Sequence, residues 1–210
     1  MILVLASAFL PGSPPKPSDS ALKIAHFVRD NDDALRWAAY LSALAALPLL
    51  WWTGAIWRMM RRAEGGAPRL AVVALGGIIF SGVMSVIGGI VLGAVAIYGA
   101  GRLGPSGTRF FYILSGCIGS AALFGIALFV GAVSGAVIRT GMLPRALGWF
   151  GALVALVALR GGTGVASTRD VYFDLALAAY MGASLWVLIT SGLMLAGRGA
   201  PRDPVPASAA

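Results

Sequence analysis

The chain has few charged residues. Asp, Glu, Lys and Arg make up 11% of its 210 residues, whereas hydrophobic residues make up 59%. The mean hydropathy of +0.86 is far above that of a soluble domain, which cannot bury so large an apolar fraction in one core of this size. The composition therefore excludes an ordinary soluble protein and predicts that the bilayer is the solvent for much of the chain.

Metal ligands and nucleophile–base pairs are equally scarce. Cys117 is the single cysteine and His26 the single histidine, which excludes an intrachain disulfide, a cysteine-based metal site and bis-histidine haem ligation. Neither H-E-x-x-H nor G-x-S-x-G occurs, and no apolar run carries a charge near its middle, where intramembrane chemistry usually needs one. We therefore predict no enzymatic activity, no cofactor and no metal.

The charge that is present is mostly positive, with 16 basic residues against 8 acidic ones. The basic residues lie at the ends of apolar runs, a pattern typical of membrane flanks and unlike the clustered patch of a nucleic-acid-binding protein. Lysine is nearly absent while Ala, Gly and Arg are abundant, which indicates a GC-rich bacterial source. We expect membrane lipids as partners and no nucleic acid.

Five apolar stretches approach the length of about 20 residues that crosses about 30 Å of hydrocarbon as a helix. They are approximately Trp37–Trp57, Leu70–Tyr98, Phe110–Ile138, Pro144–Leu159 and Tyr172–Ala196. The fourth is short, and we interpret it as a thin crossing, with a re-entrant loop as the alternative. The pattern predicts an all-α transmembrane helical bundle over residues 35–197.

An N-terminal region, residues 1–34, precedes this bundle. Met1–Leu10 is apolar but too short to cross a bilayer, and four prolines follow it within seven residues. Three interpretations stay open: a signal-like segment, an interfacial tail, or the end of a truncated sixth transmembrane helix.

Two further segments flank the predicted spans. Ser20–Asp33 is expected to form a short amphipathic helix resting on the membrane face, with Asp19 or Ser20 as its N-cap. Residues 198–210 are expected to form a disordered tail.

Orientation is predicted from the arginines in one short loop, Arg58, Arg61, Arg62 and Arg69, which we place in the cytoplasm. The C-terminus then also lies in the cytoplasm, and the predicted location is the bacterial cytoplasmic (inner) membrane. The whole-chain count is balanced, however, because this orientation leaves eight of the 16 basic residues on each side.

Small residues recur every four positions in the second span, at Gly77, Ser81, Ser85, Gly89 and Gly93, and again in the third span at Gly131 and Gly135. Four-residue spacing keeps side chains on nearly one helix face, where small residues let another backbone approach closely. We interpret these residues as helix-packing contacts within the bundle. A dimer seam and the wall of a permeation path are the alternatives.

Acidic residues lie close to arginines at the start of the last span. Asp170 and Asp174 are near Arg160 and Arg169 in the sequence. We interpret them as partners in surface salt bridges, with a solute-gating pair as the alternative.

Two motifs resemble those of a bacterial family of multi-pass membrane proteins whose function is unknown. The first is the arginine loop ending in Ala63-Glu64-Gly65-Gly66, and the second is Leu143-Pro144-Arg145-Ala146-Leu147-Gly148-Trp149. The resemblance covers the chain from about Ala21 onward and implies a six-helix design whose first helix is represented only by Met1–Leu10. It implies no activity and no catalytic residues.

Two functions from different classes follow from these patterns. The first is a non-catalytic bundle acting as an accessory or scaffold component, in a homo-oligomer or a larger membrane complex, because the chain has packing faces and no buried charge. The alternative is a small-molecule or lipid transporter or binding protein, indicated by Pro48 and the glycine-rich spans, which would require a cavity in the bundle.

Overall fold

The computed structural model describes residue 12 and residues 14–99, 102–167 and 169–196. Every regular element in these ranges is helical, which confirms the predicted all-α bundle. The elements are α1 (Ala21–Asp30), α2 (Asp32–Glu64), α3 (Arg69–Ala94) with a π-helical turn at Val95–Gly99, α4 (Gly104–Thr140), α5 (Arg145–Gly162) with a 3-10 turn at Thr163–Ala166, and α6 (Asp170–Leu195). The segments predicted at 1–10 and 198–210 lie outside the described residues.

Five of these helices, α2 to α6, are long and apolar enough to cross a membrane, in agreement with the five predicted spans. The fourth crossing is longer than predicted, because α5 and its 3-10 turn form one unit of 22 residues, Arg145–Ala166. The glycine-rich sequence Gly161-Gly162-Thr163-Gly164 belongs to this unit, and its glycines pack closely against α4 and α6.

Helix α4 lies at the centre of the bundle, in contact with α1, α2, α3, α5 and α6. In its most apolar 18-residue window 61% of the residues are buried, against 17% for α2 at the periphery. Consecutive spans run antiparallel. The bundle therefore has an arginine end, with the α2–α3 and α4–α5 loops, and a linker end, with α1 and the chain that precedes it.

The closest approach in the bundle is between α3 and α4. A Cβ atom on Gly77 would lie 2.7 Å from the Gly125 carbonyl oxygen, and one on Gly125 would lie 2.6 Å from the Ser81 nitrogen. Farther along the interface Ser115 Oγ donates a hydrogen bond to the Gly88 carbonyl at 3.1 Å. Since lipid supplies no hydrophobic drive between helices, such backbone contact is what van der Waals packing in a membrane requires.

A second seam of small residues lies on α5 and was not predicted from the sequence. Its members recur at alternating steps of three and four residues, and all are at least nine-tenths buried: Gly148, Gly151, Ala155, Ala158 and Gly162. A search for strict four-residue spacing misses this pattern, although alternating steps follow a helix face more closely.

Gly151 in this seam admits the largest buried side chain of the bundle. The Trp186 ring of α6 is fully buried, and its Nε1 donates to the Leu147 carbonyl at 3.2 Å. A Cβ atom at Gly151 would lie 2.5 Å from that nitrogen, so only glycine leaves the indole its place. The Trp186 ring also meets Phe129 of α4 edge to face, with 6.2 Å between ring centroids.

Helix α1 packs on the bundle instead of resting only on a membrane surface. Ser20 is its N-cap, accepting a hydrogen bond from the Lys23 nitrogen at 3.3 Å. Ile24 and Val28 are fully buried, and they join Leu35 and the π-helical turn in a separate small core at the linker end. The apolar face of α1 is therefore largely used by the bundle itself.

The α3–α4 contact generates a stability prediction. The change Gly77→Ala is expected to lower the free energy of unfolding by about 1–3 kcal/mol, the usual cost of overpacking, because its methyl group presses on the Gly125 carbonyl. The adjacent Gly76 has open space at its Cβ position, so Gly76→Ala is expected to be neutral or to stabilise by up to about 1 kcal/mol. Reversible unfolding in mixed detergent micelles measures both, and equal effects would contradict the close contact.

Candidate functional site

The small residues predicted as one stripe on α3 divide between two neighbouring helices. Gly77 and Ser81 face α4, whereas a Cβ atom on Gly93 would lie 3.2 Å from Ala39 of α2, and one on Gly89 would lie 3.8 Å from the Ala39 carbonyl oxygen. A helix turns about 100° per residue, so 16 residues bring Gly93 about 160° away from Gly77. The fifth member, Ser85, lines a cleft between α2, α3, α4 and α6.

The two glycines predicted on the third span also meet different neighbours. A Cβ atom on Gly131 would lie 3.5 Å from Ala155 of α5, and one on Gly135 would lie 3.9 Å from Leu70 of α3. Because α4 is enclosed by other helices, both of its flanks need small residues.

All four predicted topology arginines, Arg58, Arg61, Arg62 and Arg69, are exposed at the arginine end of the bundle. The Arg61 guanidinium lies over the Trp57 ring, 5.9 Å from its centroid. This is a cation–π contact at the level where aromatic and basic residues of membrane proteins meet the head groups.

A cleft lies midway along the spans between α2, α3, α4 and α6, and we call it the membrane cleft. Its volume is about 290 Å³, near the lower limit of ligand pockets, and no charged side chain lines it in the described part of the chain. Apolar side chains form most of its wall, and five hydroxyl-bearing residues contribute to it: Ser42, Ser81, Ser85, Tyr180 and Ser184.

The order of the helices explains why this cleft exists. Helix α6 is held to the bundle mainly through α5, and Trp186 anchors it there. Helix α2 is held on the other side through α3. Over the described residues α2 and α6 have no extensive contact with each other, and the cleft between them is partly open.

A second space, the linker cavity, lies at the linker end between α4, the 3-10 turn, the start of α6 and Pro17. Its volume is about 630 Å³, and its wall is more polar than that of the membrane cleft. Polar side chains from α4, from the connection before α6 and from α6 itself line it, among them Ser120, Ser167, Arg169 and Tyr172.

Residues 15–18, which we call the strap, cross this end and hold α4 to α6. Tyr112 Oη donates to the Pro15 carbonyl and Arg109 Nη2 to the Pro17 carbonyl, both at 3.1 Å. On α6, Lys16 Nζ pairs with Asp174 at 3.3 Å, and Ser18 Oγ donates to Asp170 at 2.9 Å.

The strap corrects one sequence interpretation. Asp170 and Asp174 were expected to pair with Arg160 or Arg169, yet in the described part of the chain neither arginine forms an ion pair with them. Asp174 instead forms its ion pair with Lys16, which is far away in the sequence. Next to the strap, the Lys23 ammonium and the Lys16 backbone N–H hold the pKa of Asp19 below its ordinary value.

Tyr180 marks the boundary between the two spaces. Its ring lines the membrane cleft, and its hydroxyl donates to the Gly119 carbonyl of α4 at 2.9 Å, next to Ser120 of the linker cavity. This bond is a direct polar link between α6 and α4 at the depth where the cleft ends.

No family model, curated protein or solved structure matches this chain. Within the described ranges, no three His, Cys, Asp or Glu side chains converge as metal ligands would. The two cavities and the strap are therefore the features on which a function can be argued.

The Tyr180 bond generates the second prediction. The change Tyr180→Phe is expected to lower the free energy of unfolding by about 0.5–1.5 kcal/mol, because the Gly119 carbonyl loses its donor at the α4–α6 contact. Tyr40, whose residue is 58% exposed, is the matched control, and Tyr40→Phe is expected to have little effect. Unfolding in detergent micelles compares the two variants, and an unchanged Tyr180→Phe protein would contradict the bond.

Proposed function

We propose that this chain is a multi-pass protein of the bacterial cytoplasmic membrane that binds one lipophilic small molecule or lipid chain in the membrane cleft. The observation that carries the proposal is the cleft itself, an apolar space of about 290 Å³ between α2, α3, α4 and α6. Ligand pockets are typically apolar with a few placed polar groups, and the serine and tyrosine hydroxyls supply such groups here.

The partly open, apolar cleft suits a ligand that arrives from the bilayer. A water-soluble substrate would need a polar path along the bundle, and no charged side chain lines the cleft in the described ranges. A lipophilic molecule already dissolved in the lipid needs only the gap between α2 and α6. Partition into the membrane also concentrates such a molecule at the entrance.

The accessory or scaffold role stays a prediction with less support. It was based on packing faces, and the glycines of those faces meet other helices of the same chain, as Gly77 meets Gly125 and Gly131 meets Ala155. The remaining apolar surface, including Trp51 at 87% exposure, is what lipid contacts in any membrane protein. It therefore gives no specific reason to expect a protein partner.

The proposed orientation places the arginine end in the cytoplasm. Six described arginines lie there, in or beside two short loops, with Glu64 as the one described acidic residue of that end. Arginines in short loops close to the ends of spans are the residues that set orientation during insertion.

Filling the cleft tests the binding proposal. With a long-chain alcohol carrying a photoreactive diazirine, saturable crosslinking to wild-type protein in nanodiscs is expected to map to α3 and α6. The change Ser85→Phe puts a ring into the cleft and is expected to reduce that crosslinking about tenfold. Val83→Phe adds a larger side chain at a residue 50% exposed on the same helix, so its crosslinking is expected to match wild type.

Crosslinking that cannot be saturated by unlabelled alcohol would contradict a binding site. So would equal losses in the Ser85→Phe and Val83→Phe proteins, because the second variant leaves the cleft open.

Single cysteines test the orientation in a Cys117→Ser background, which removes the native thiol. A membrane-impermeant maleimide is expected to label Ser106→Cys, at the linker end, in intact cells. Gly66→Cys, in the exposed α2–α3 loop, is expected to react only after the membrane is opened. The reverse pattern would show that the arginine end faces outward.

A further inference from the structure

The membrane cleft and the linker cavity lie in line along one face of α6. Phe173 lines the linker cavity, and Leu177, Tyr180, Ser184 and Val187 line the membrane cleft. These residues follow one another at steps of four, three, four and three, the spacing that keeps side chains on a single helix face.

The opposite walls show the same alignment. On α4, Tyr112 and Gly116 line the linker cavity, while Ile126 and Val130 line the cleft. Tyr112 and Ile126 are 14 residues apart, and so are Gly116 and Val130. Because 14 residues are close to four helical turns, both cavities use nearly the same face of α4. The two cavities thus follow one another along the same faces of α4 and α6, with the bond from Tyr180 to the Gly119 carbonyl between them, and we call the two together the groove.

The dimensions of the groove suit one lipid chain with its head group. Leu177 to Val187 is ten residues of helix, or about 15 Å, which is half of the roughly 30 Å of bilayer hydrocarbon and therefore the reach of one acyl chain. The linker cavity begins where the spans end, beside the polar strap, at the depth where head groups lie.

The charge at the linker cavity favours an anionic ligand. Arg169 lines it and is exposed, and within the described residues its guanidinium forms no ion pair. Neither Asp170 nor Asp174 lines this cavity. Asp174 pairs with Lys16, whereas Asp170 accepts from Ser18 through one oxygen and its other oxygen has no partner among the described residues. The hydroxyls of Ser120 and Ser167 line the same space and add hydrogen-bond donors.

From this arrangement we propose that the ligand is a single-chain amphiphile with an anionic head group, a carboxylate or a phosphate. Its chain occupies the membrane cleft and runs past the Tyr180 ring, and its head group binds Arg169 in the linker cavity. This inference rests on the proposed function, because it names the ligand class for the same groove.

The test compares three probes of equal chain length, a fatty acid, an alkyl phosphate and a fatty alcohol, as competitors of the photoreactive alcohol at about pH 8, where both anions are ionised. Wild type is expected to bind both anions about tenfold more tightly than the alcohol, the factor that one charge-assisted hydrogen bond supplies. Tighter binding of the fatty acid indicates a free fatty acid as the natural ligand, and tighter binding of the alkyl phosphate indicates a phospholipid-derived one. Arg169→Gln is expected to remove the tenfold preference and leave the alcohol unchanged.

Arg160→Gln is the matched control, because Arg160 lies at the same end of the bundle but lines neither cavity, and it is expected to keep the preference. If wild type binds the alcohol and the anions equally, or if both arginine variants lose the preference alike, the head-group assignment is wrong while the cleft remains a binding site. If no probe binds saturably, the proposed function itself fails.

Discussion

The backbone contact between α3 and α4 is the constraint on which the rest of the bundle depends. In lipid no hydrophobic effect draws helices together, so a crossing that brings the Gly77 and Gly125 backbones together supplies close packing that larger side chains would prevent. It fixes α4 at the centre, and α5 then packs on the other flank of α4 through its own seam of glycines and alanines. α6 is positioned in turn by α5, through the Trp186 ring seated at Gly151.

The groove is a consequence of this chain of attachments. α2 is held by α3, and α6 by α5, so the two outer helices have no extensive contact with each other in the described ranges. At the linker end the strap connects the starts of α4 and α6, which helix packing leaves apart. It does so through hydrogen bonds and the Lys16–Asp174 pair. The groove therefore has a polar, tied end and an apolar, open flank, which is the polarity of a membrane amphiphile.

The five spans could be predicted because a bilayer demands runs of about 20 apolar residues, and Leu70–Tyr98 or Phe110–Ile138 meet that demand from composition alone. The site could not, because a cleft lies where helices fail to touch, and that depends on which helices are neighbours. The stripe from Gly77 to Gly93 was assigned to one face although steps of four rotate gradually around a helix. The Lys16–Asp174 pair joins residues 158 positions apart, beyond the reach of any local pattern.

Native mass spectrometry of the protein released from nanodiscs made with its own membrane lipids tests the central claim most directly. The account predicts one retained anionic single-chain molecule per polypeptide, which survives collisional removal of the surrounding lipid because the groove encloses its chain. A bare polypeptide, or a broad distribution of lipids lost together in steps, would contradict a specific site in the groove.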